Sequence, residues 1–198
     1  MRAGTPGMTV IPAGYEYIDQ ELALRTNSIQ AWSDRKVYCT ERVLVYEDVE
    51  PDMLDGALGG LVSREMVLCP TSLNTVFTQK CDTLTTKVHF YEGSLWLVEN
   101  EMILRPARFA YLQGSASLCV IGSVEIAADV DPQILFERLA GVYNWGEISC
   151  RPEQMDAIEA KMVVNEGELA DSTPKEEDNQ EEDKEDGTYK INVGNFKL

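Results

Sequence analysis

The chain has 198 residues, of which 44% are hydrophobic, and its formal net charge is −17 at pH 7. This length favours one folded body, because single domains commonly hold about 100 to 200 residues. With 17 basic against 34 acidic residues, the chain lacks the Lys/Arg surface that neutralises nucleic-acid phosphates, so we expect no nucleic-acid partner. No apolar run reaches the roughly 20 residues that cross a bilayer, and no apolar signal-peptide core is present. We therefore expect a cytoplasmic protein without membrane insertion.

Strands and short helices are predicted in alternation from residue 42 onward. Alternating apolar residues predict a strand at RVLVY (42–46), and the segment MLDGALGGL (53–61), which follows a proline, is predicted as a short helix. A strand at MVLC (66–69) and a second short helix at TSLNTVFTQK (71–80) follow. The region 87–105 is predicted to hold further strands joined by Gly-containing turns.

The second half of the chain repeats this pattern. Strands are predicted at SVEIA (123–127) and EISC (147–150), and short helices at ILFERLAGV (134–142) and PEQMDAIEAK (152–161). An offset of 81 places residues 42–80 on 123–161 without a gap. The positions that keep the same residue after this offset are Val43, Asp48, Val49, Pro51, Leu54, Leu58, Gly60, Cys69 and Lys80, which match Val124, Asp129, Val130, Pro132, Leu135, Leu139, Gly141, Cys150 and Lys161. An offset of 80 pairs ELALR (21–25) with EMILR (101–105), and Cys39 with Cys119. The pattern predicts a tandem duplication of about 80 residues.

The spacing of these elements predicts the fold class. Strands and helices recur about every 20 to 25 residues, which is too close for βαβ units of about 30 or more residues. We predict an α/β repeat fold, a short right-handed solenoid of stacked short strands with short helices. It would span residues 10–170, as repeats 10–90 and 91–170, after a flexible N-terminus at 1–9.

The C-terminal region changes character. Residues 171–187 hold nine acidic residues, two lysines and no large apolar residue, so they are predicted to be a disordered acidic linker. Residues 188–198 regain apolar character at a spacing typical of a short strand. Their candidate partner-docking residues are Tyr189, Ile191, Val193 and Phe196. A disordered end is an equally weighted alternative.

Acidic residues precede the proline that starts each predicted helix in the duplicated block. Asp131 before Pro132 is predicted to be an N-cap, and Glu50 before Pro51 a weaker cap that still complements the helix dipole. The alternative is a Ca²⁺ site that uses Asp48 with Glu50, or Asp129 with Asp131, since hard cations favour clustered carboxylates. Because the two acidic pairs recur at one step of the repeat, capping is preferred.

No residue set indicates catalysis, a metal or a cofactor. The five cysteines contain no CxxC pair, which argues against a disulfide framework or a zinc site, and we expect buried, reduced thiols. A Cys–His nucleophile would need His89, the only histidine. His89 alternates with apolar neighbours, and we predict that it faces solvent from a strand.

The order DVDPxxL, then a glycine, then ISCRPEQ and AIEAKMVVNEGEL (129–169) resembles a group of uncharacterised bacterial proteins built from repeated strand, DP-helix and CP-turn blocks. The resemblance implies a fold and no activity or site residues. By fold analogy alone, such a body is similar to leucine-rich-repeat proteins and bactofilins. The first copy has CPTSL where the second has CRPEQ, so the Cys-Pro step is not kept in both.

The function predicted from these patterns is a non-catalytic scaffold that self-associates or binds a protein partner through its open ends. The main alternative is a tethered adaptor or cargo protein that docks through residues 188–198. That segment weakly resembles the C-terminal cargo-loading peptides of bacterial protein compartments, with VGNF in place of a VGSL-like core. An enzyme of unknown type is the second alternative.

Overall fold

The computed structural model describes residues 11–173, which form an α/β fold of short strands in parallel sheets with few short helices. The N-terminal half (residues 11–91) contains strands β1 to β7, which span Glu16–Ile18, Leu22–Leu24, Arg35–Cys39, Val43–Val45, Leu58–Ser63, Val67–Pro70 and Val88–Tyr91. Its helices α1 to α3 span Thr26–Ile29, Pro51–Ala57 and Asn74–Lys80. A 3₁₀ turn at Thr71–Leu73 precedes α3.

The C-terminal half (residues 92–173) follows the same order of elements. Its strands β8 to β15 span Ser94–Val98, Glu101–Leu104, Ala116–Val120, Ser123–Ile126, Leu139–Asn144, Glu147–Cys150, Met162–Asn165 and Glu168–Asp171. Its helices α4 to α6 span Pro106–Ala110, Pro132–Arg138 and Pro152–Ala160. The last strand ends at Asp171, and the Ser172 N–H donates to the Cys150 carbonyl at 2.9 Å.

The chain alternates between two sheets in each half, except that β6 and β7 are consecutive strands of one sheet. A strand of one sheet is followed by a short turn, a strand of the other sheet and usually a helix. In the N-terminal half the sheets have the orders β1-β3-β5 and β2-β4-β6-β7, and in the C-terminal half the orders β8-β10-β12-β14 and β9-β11-β13-β15. All pairings between these strands are parallel. Because parallel neighbours need a crossover connection, each helix of the C-terminal half returns the chain to the first sheet, whereas α3 connects β6 to its own neighbour β7.

Two of the predicted helices are shorter than the sequence indicated. α2 ends at Ala57 and α5 at Arg138, and the following residues form β5 and β12. Leu54, Leu58 and Leu61 are all fully buried. Their spacing of four and three residues is that of one face of a continuous helix, but it is also compatible with a helix that ends at Ala57 and continues as a strand. Pairing of β5 with β3 decides the outcome, because it provides backbone hydrogen bonds to a neighbouring strand.

Three apolar clusters form the core. One fills the space between the sheets and helices of the N-terminal half, and a second does so in the C-terminal half. The third, which we call the seam, joins the halves where sheet β2-β4-β6-β7 faces sheet β8-β10-β12-β14. Its buried members are Leu44, Leu68, Tyr91, Cys119 and Tyr143.

Ion pairs also cross between the halves. Arg42 contacts Glu21 in its own half and Glu99 in the other. Lys87 lies 3.8 Å from Glu166. These pairs are partly exposed, so each contributes at most about 1 kcal/mol. The halves are therefore held together mainly by the apolar seam. Within residues 11–173, no helix has the length and apolar character needed to cross a membrane.

Candidate functional site

The two predicted helix caps differ in the structure. Asp131 is the N-cap of α5, and its Oδ1 accepts the Gln133 backbone N–H at 2.8 Å. Glu50 is the N-cap of α2 and makes no such side-chain hydrogen bond. The longer Glu side chain is a poor geometric match for the N2 or N3 amide, which is why Asp, Asn, Ser and Thr dominate at this position.

Asp48 has a structural partner that the sequence did not reveal. Its Oδ2 accepts the backbone N–H of Thr26, the first residue of α1, at 3.2 Å, and the Thr26 hydroxyl donates to the Asp48 carbonyl. Among residues 11–173, no group of three or more His, Cys, Asp or Glu side chains is placed to hold a metal ion. What Asp48 does in the structure is to bind the start of a helix in the preceding strand-and-helix unit.

All five cysteines are buried free thiols. Burial raises the pKa of Cys119 to about 12, and it raises the pKa values of Cys81 and Cys150 to about 11 each. Burial also raises the pKa values of Cys39 and Cys69 above the ordinary range. Since the thiolate is the nucleophile and metal ligand, these sites are chemically quiet near neutral pH.

Cys39 and Cys119 are not equivalent, although the sequence alignment paired them. In the strand register, Cys39 is opposite Ser63 at the end of β5, whereas Cys119 is opposite Tyr143. Cys39 belongs to the core of the N-terminal half and Cys119 to the seam. A shift of one residue along a strand moves a side chain to the other face of the sheet. The one-residue difference between the halves therefore lies before β3, not after it.

His89 does not face solvent freely, as the alternation in its strand indicated. It is half-buried, with its ring 5.2 Å from the Trp145 ring and 6.3 Å from the Tyr143 ring, both tilted edge-to-face. Burial is the main cause of its lowered pKa; Lys87 lowers it further and Glu166 opposes the shift. The sequence prediction failed because both ring partners come from β12 and the residue after it, far along the chain.

A cavity of about 570 Å³ opens beside the seam, with Glu47, Pro70, Tyr91 and Gln113 among its lining residues. The Tyr91 hydroxyl donates to the Val45 carbonyl at 2.8 Å and lies 3.4 Å from the Glu47 carboxylate. Burial and the neighbouring Glu47 raise the pKa of Tyr91 above its usual range. The hydroxyl is therefore engaged in holding β7 against β4 and is a poor proton donor to a ligand.

Three of the exposed apolar side chains lie on outer strands of the sheets. Tyr17 on β1 is 49% exposed, Ile103 on β9 46% and Val163 on β14 60%. Each of these strands has a paired neighbour on one side only, within the part of the chain that the structure describes. An outer strand offers unpaired backbone N–H and C=O groups to a further strand. These edges form the candidate interaction surface.

The candidate docking residues Tyr189, Ile191, Val193 and Phe196 lie outside the described residues, as do the predicted linker from 174 onward and the predicted N-terminal segment 1–9. No protein-family model matches the chain, and no significant similarity to a curated protein or to a solved structure was found.

Proposed function

We propose that the chain is a non-catalytic scaffold, built as a right-handed solenoid that arose by duplication, and that it associates with a second copy of itself through open sheet edges. The observation that carries the proposal is the coincidence of exposed apolar residues with outer strands at Tyr17, Ile103 and Val163. Large apolar residues on an unprotected edge favour strand addition.

The element boundaries support the duplication. α2 and α5 are related by the offset of 81, as are β5 and β12. The register irregularity between β3 and β5 falls at Arg35/Lys36, and that between β10 and β12 falls at Ala116/Ser117, again 81 residues later. A local irregularity kept at the same step in both halves is hard to obtain by convergence of unrelated segments.

The parallel stacking supports the solenoid. Successive strands of one sheet are separated by one strand of the other sheet and a helix, so each unit pairs with the units before and after it. Contacts limited to neighbouring units are typical of solenoids, and this arrangement supports the proposal. Right-handed coiling is expected because parallel crossovers are right-handed in about 98% of cases.

The test places a lysine on each of two outer strands, β1 and β9. Tyr17→Lys with Ile103→Lys should abolish self-association, because a charge on an edge strand disfavours addition of another strand. Leu84→Lys is the matched control, since Leu84 is 96% exposed and lies outside the strands. Sedimentation velocity at micromolar concentration should give a species larger than the 22.1 kDa chain for the parent and the control only. A monomeric parent would overturn the proposal.

A further inference from the structure

The turns between the two sheets of the C-terminal half are stacked with one repeated hydrogen-bond pattern. The Ile121 and Gly122 N–H groups donate to the Val98 carbonyl, and the Ser123 N–H donates to that of Asn100. The next two turns repeat this arrangement one step on. In the second turn, the Trp145 and Gly146 N–H groups donate to the Val120 carbonyl, and the Glu147 N–H donates to that of Gly122. In the third turn, the Glu166 and Gly167 N–H groups donate to the Asn144 carbonyl, and the Glu168 N–H donates to that of Gly146. The carbonyl groups of each turn thus accept the backbone N–H groups of the next turn.

Glycine is required at one position of this stack. A Cβ atom on Gly122 would lie 2.1 Å from the Asn100 carbonyl oxygen, one on Gly146 2.0 Å from that of Gly122, and one on Gly167 2.1 Å from that of Gly146. These neighbours are backbone atoms, which cannot move aside as a flexible side chain could. A further turn that stacks in the same way therefore needs a glycine at the position equivalent to Gly122, Gly146 and Gly167.

Asparagine links the last two turns through its side chain. The Asn144 amide donates to Asn165 Oδ1 and to the Glu168 carbonyl, both at 3.0 Å, while its own oxygen accepts the Gly146 N–H at 3.2 Å. Asn144 is completely buried, whereas Asn165, at the same step of the last described turn, is exposed. Another asparagine stacked on Asn165 would extend this ladder.

The sequence pattern of these turns occurs once more in the chain. The motif Asn-x-Gly followed by Glu or Asn and a large apolar residue occurs as NWGEI (144–148) and NEGEL (165–169), and again as NVGNF (192–196). We propose that residues 189–198 of the same chain add to β14 and β15 as a further pair of parallel strands, with Asn192 on Asn165 and Gly194 on Gly167. This goes beyond the proposed function and does not depend on it; the β14 edge at Val163 would then be covered, which leaves the β1 and β9 edges for self-association.

The register places apolar residues on apolar neighbours. Tyr189 falls beside Met162 and Phe196 beside Leu169, both of which are half-buried against the core of the C-terminal half. Lys190 then lies beside Val163, which is 60% exposed. The added strands would extend the core and leave their two lysines, Lys190 and Lys197, outside.

The connecting chain is long enough for this addition within one molecule. The connection from β13 to β14, residues 151–161, spans 11 residues, and residues 172–188 would span 17 to make the same return. A short tether gives an effective concentration of about millimolar, which favours the chain's own segment over that of a second copy. The 188–198 segment also carries two lysines and no acid, which suits an acidic body.

The test is hydrogen–deuterium exchange of the full chain and of a chain ending at residue 187. Peptides covering 162–171 should exchange about tenfold faster in the truncated chain, because their outer backbone groups lose a partner. Peptides covering β10 and β11 should be unchanged, which reports that the body is still folded. Equal exchange of 162–171 in the two chains would overturn the proposal.

A glycine pair provides a second, milder comparison. Gly194→Val should speed exchange of 162–171 in the full chain, since a side chain there meets the carbonyl of the preceding turn, while Gly187→Val in the acidic segment should not. An equal effect of both changes would contradict the proposed register. Sedimentation and exchange of the Tyr17→Lys, Ile103→Lys variant, which lacks the other association edges, decide the source of the strand: protection of 162–171 that appears only with a dimer or larger species would show addition from a second copy and would overturn addition within one chain.

Discussion

Asp131 and Glu50 occupy the same step before a proline-started helix, yet only Asp131 bonds its helix through the side chain. Asp131→Ala should lower the free energy of unfolding by about 1 kcal/mol, the usual cost of a lost N-cap. Glu50→Ala should cost less, because only a favourable charge near the helix N-terminus is removed. Urea unfolding of the two variants measures the difference. Equal losses would show that the Asp131 hydrogen bond contributes nothing beyond charge.

His89 predicts a loss of stability in mild acid. Its pKa is lowered in the folded protein by burial, so the unfolded chain binds the proton more readily, and stability falls as the pH drops below about 6.5. His89→Phe keeps a ring beside Trp145 but cannot titrate. Because the chain has one histidine, the variant should lose part of the fall in urea midpoint between about pH 7 and 5.5. An unchanged pH profile would assign that fall to carboxylates.

Local chemistry could be predicted at this scale and long-range surroundings could not. The cap at Asp131 follows from an acid directly before a proline, since both the acceptor and the helix start lie within a few residues. The half-buried position of His89 depends on Trp145 and Tyr143, which are more than fifty residues away. Only the packing of the two halves brings them together.

Stacked turns are the element whose geometry is least tolerant. Gly146→Ala should destabilise by about 1 to 3 kcal/mol, because its Cβ would lie 2.0 Å from the Gly122 carbonyl oxygen and the stack must shift. Gly56→Ala, inside α2 with no atom within 4 Å of its Cβ position, should instead stabilise by about 0.5 to 1 kcal/mol. Thermal or urea unfolding of the pair gives opposite signs if space at the stack is the cause. Similar losses at both sites would refute it.

Most of the helices and strands could be predicted from the sequence, but the residues at which they end were predicted less well. The strand predicted at 66–69 is observed at Val67–Pro70, and the strand at 147–150 and the helix starts at Pro51 and Pro132 agree with the predicted positions. The ends of α2 and α5 were placed too late, because the leucine spacing fits a helix until a paired strand competes for the backbone. α4 was missed although its first residue, Pro106, is a helix start signal.

The seam holds the whole molecule together through a few polar bonds as well as apolar contact. The Tyr143 hydroxyl, on β12, donates to the Phe90 carbonyl on β7 at 2.6 Å. Tyr143→Phe should lower stability by about 1 kcal/mol, since a buried hydrogen bond is lost without change of ring volume. Tyr111→Phe is the control, as Tyr111 is 88% exposed. Urea unfolding should show no change for the control; a neutral Tyr143→Phe would place the joining energy in the apolar contacts alone.

The packing of two halves against each other was not predicted, although the sequence held a signal for it. β10 reads ASLCV and β4 reads VLV, and all their residues are buried. Continuous apolar strands indicate a sheet covered on both faces, whereas a single solenoid with a solvent-facing sheet would alternate. The apolar runs therefore indicated that a second layer packs on these strands. Only the structure shows that this layer is the other half of the chain.

The distance in sequence between contacting residues predicts the order of folding events. Within each half, neighbouring strands follow one another after one short unit, so closing each loop costs little chain entropy. Across the seam, Tyr143 reaches back 53 residues to Phe90, whereas the bond from Tyr91 to Val45, 46 residues back, lies within the N-terminal half. Contacts close in sequence form fastest. Folding should thus advance unit by unit within each half, with docking of the halves as the late and slower event.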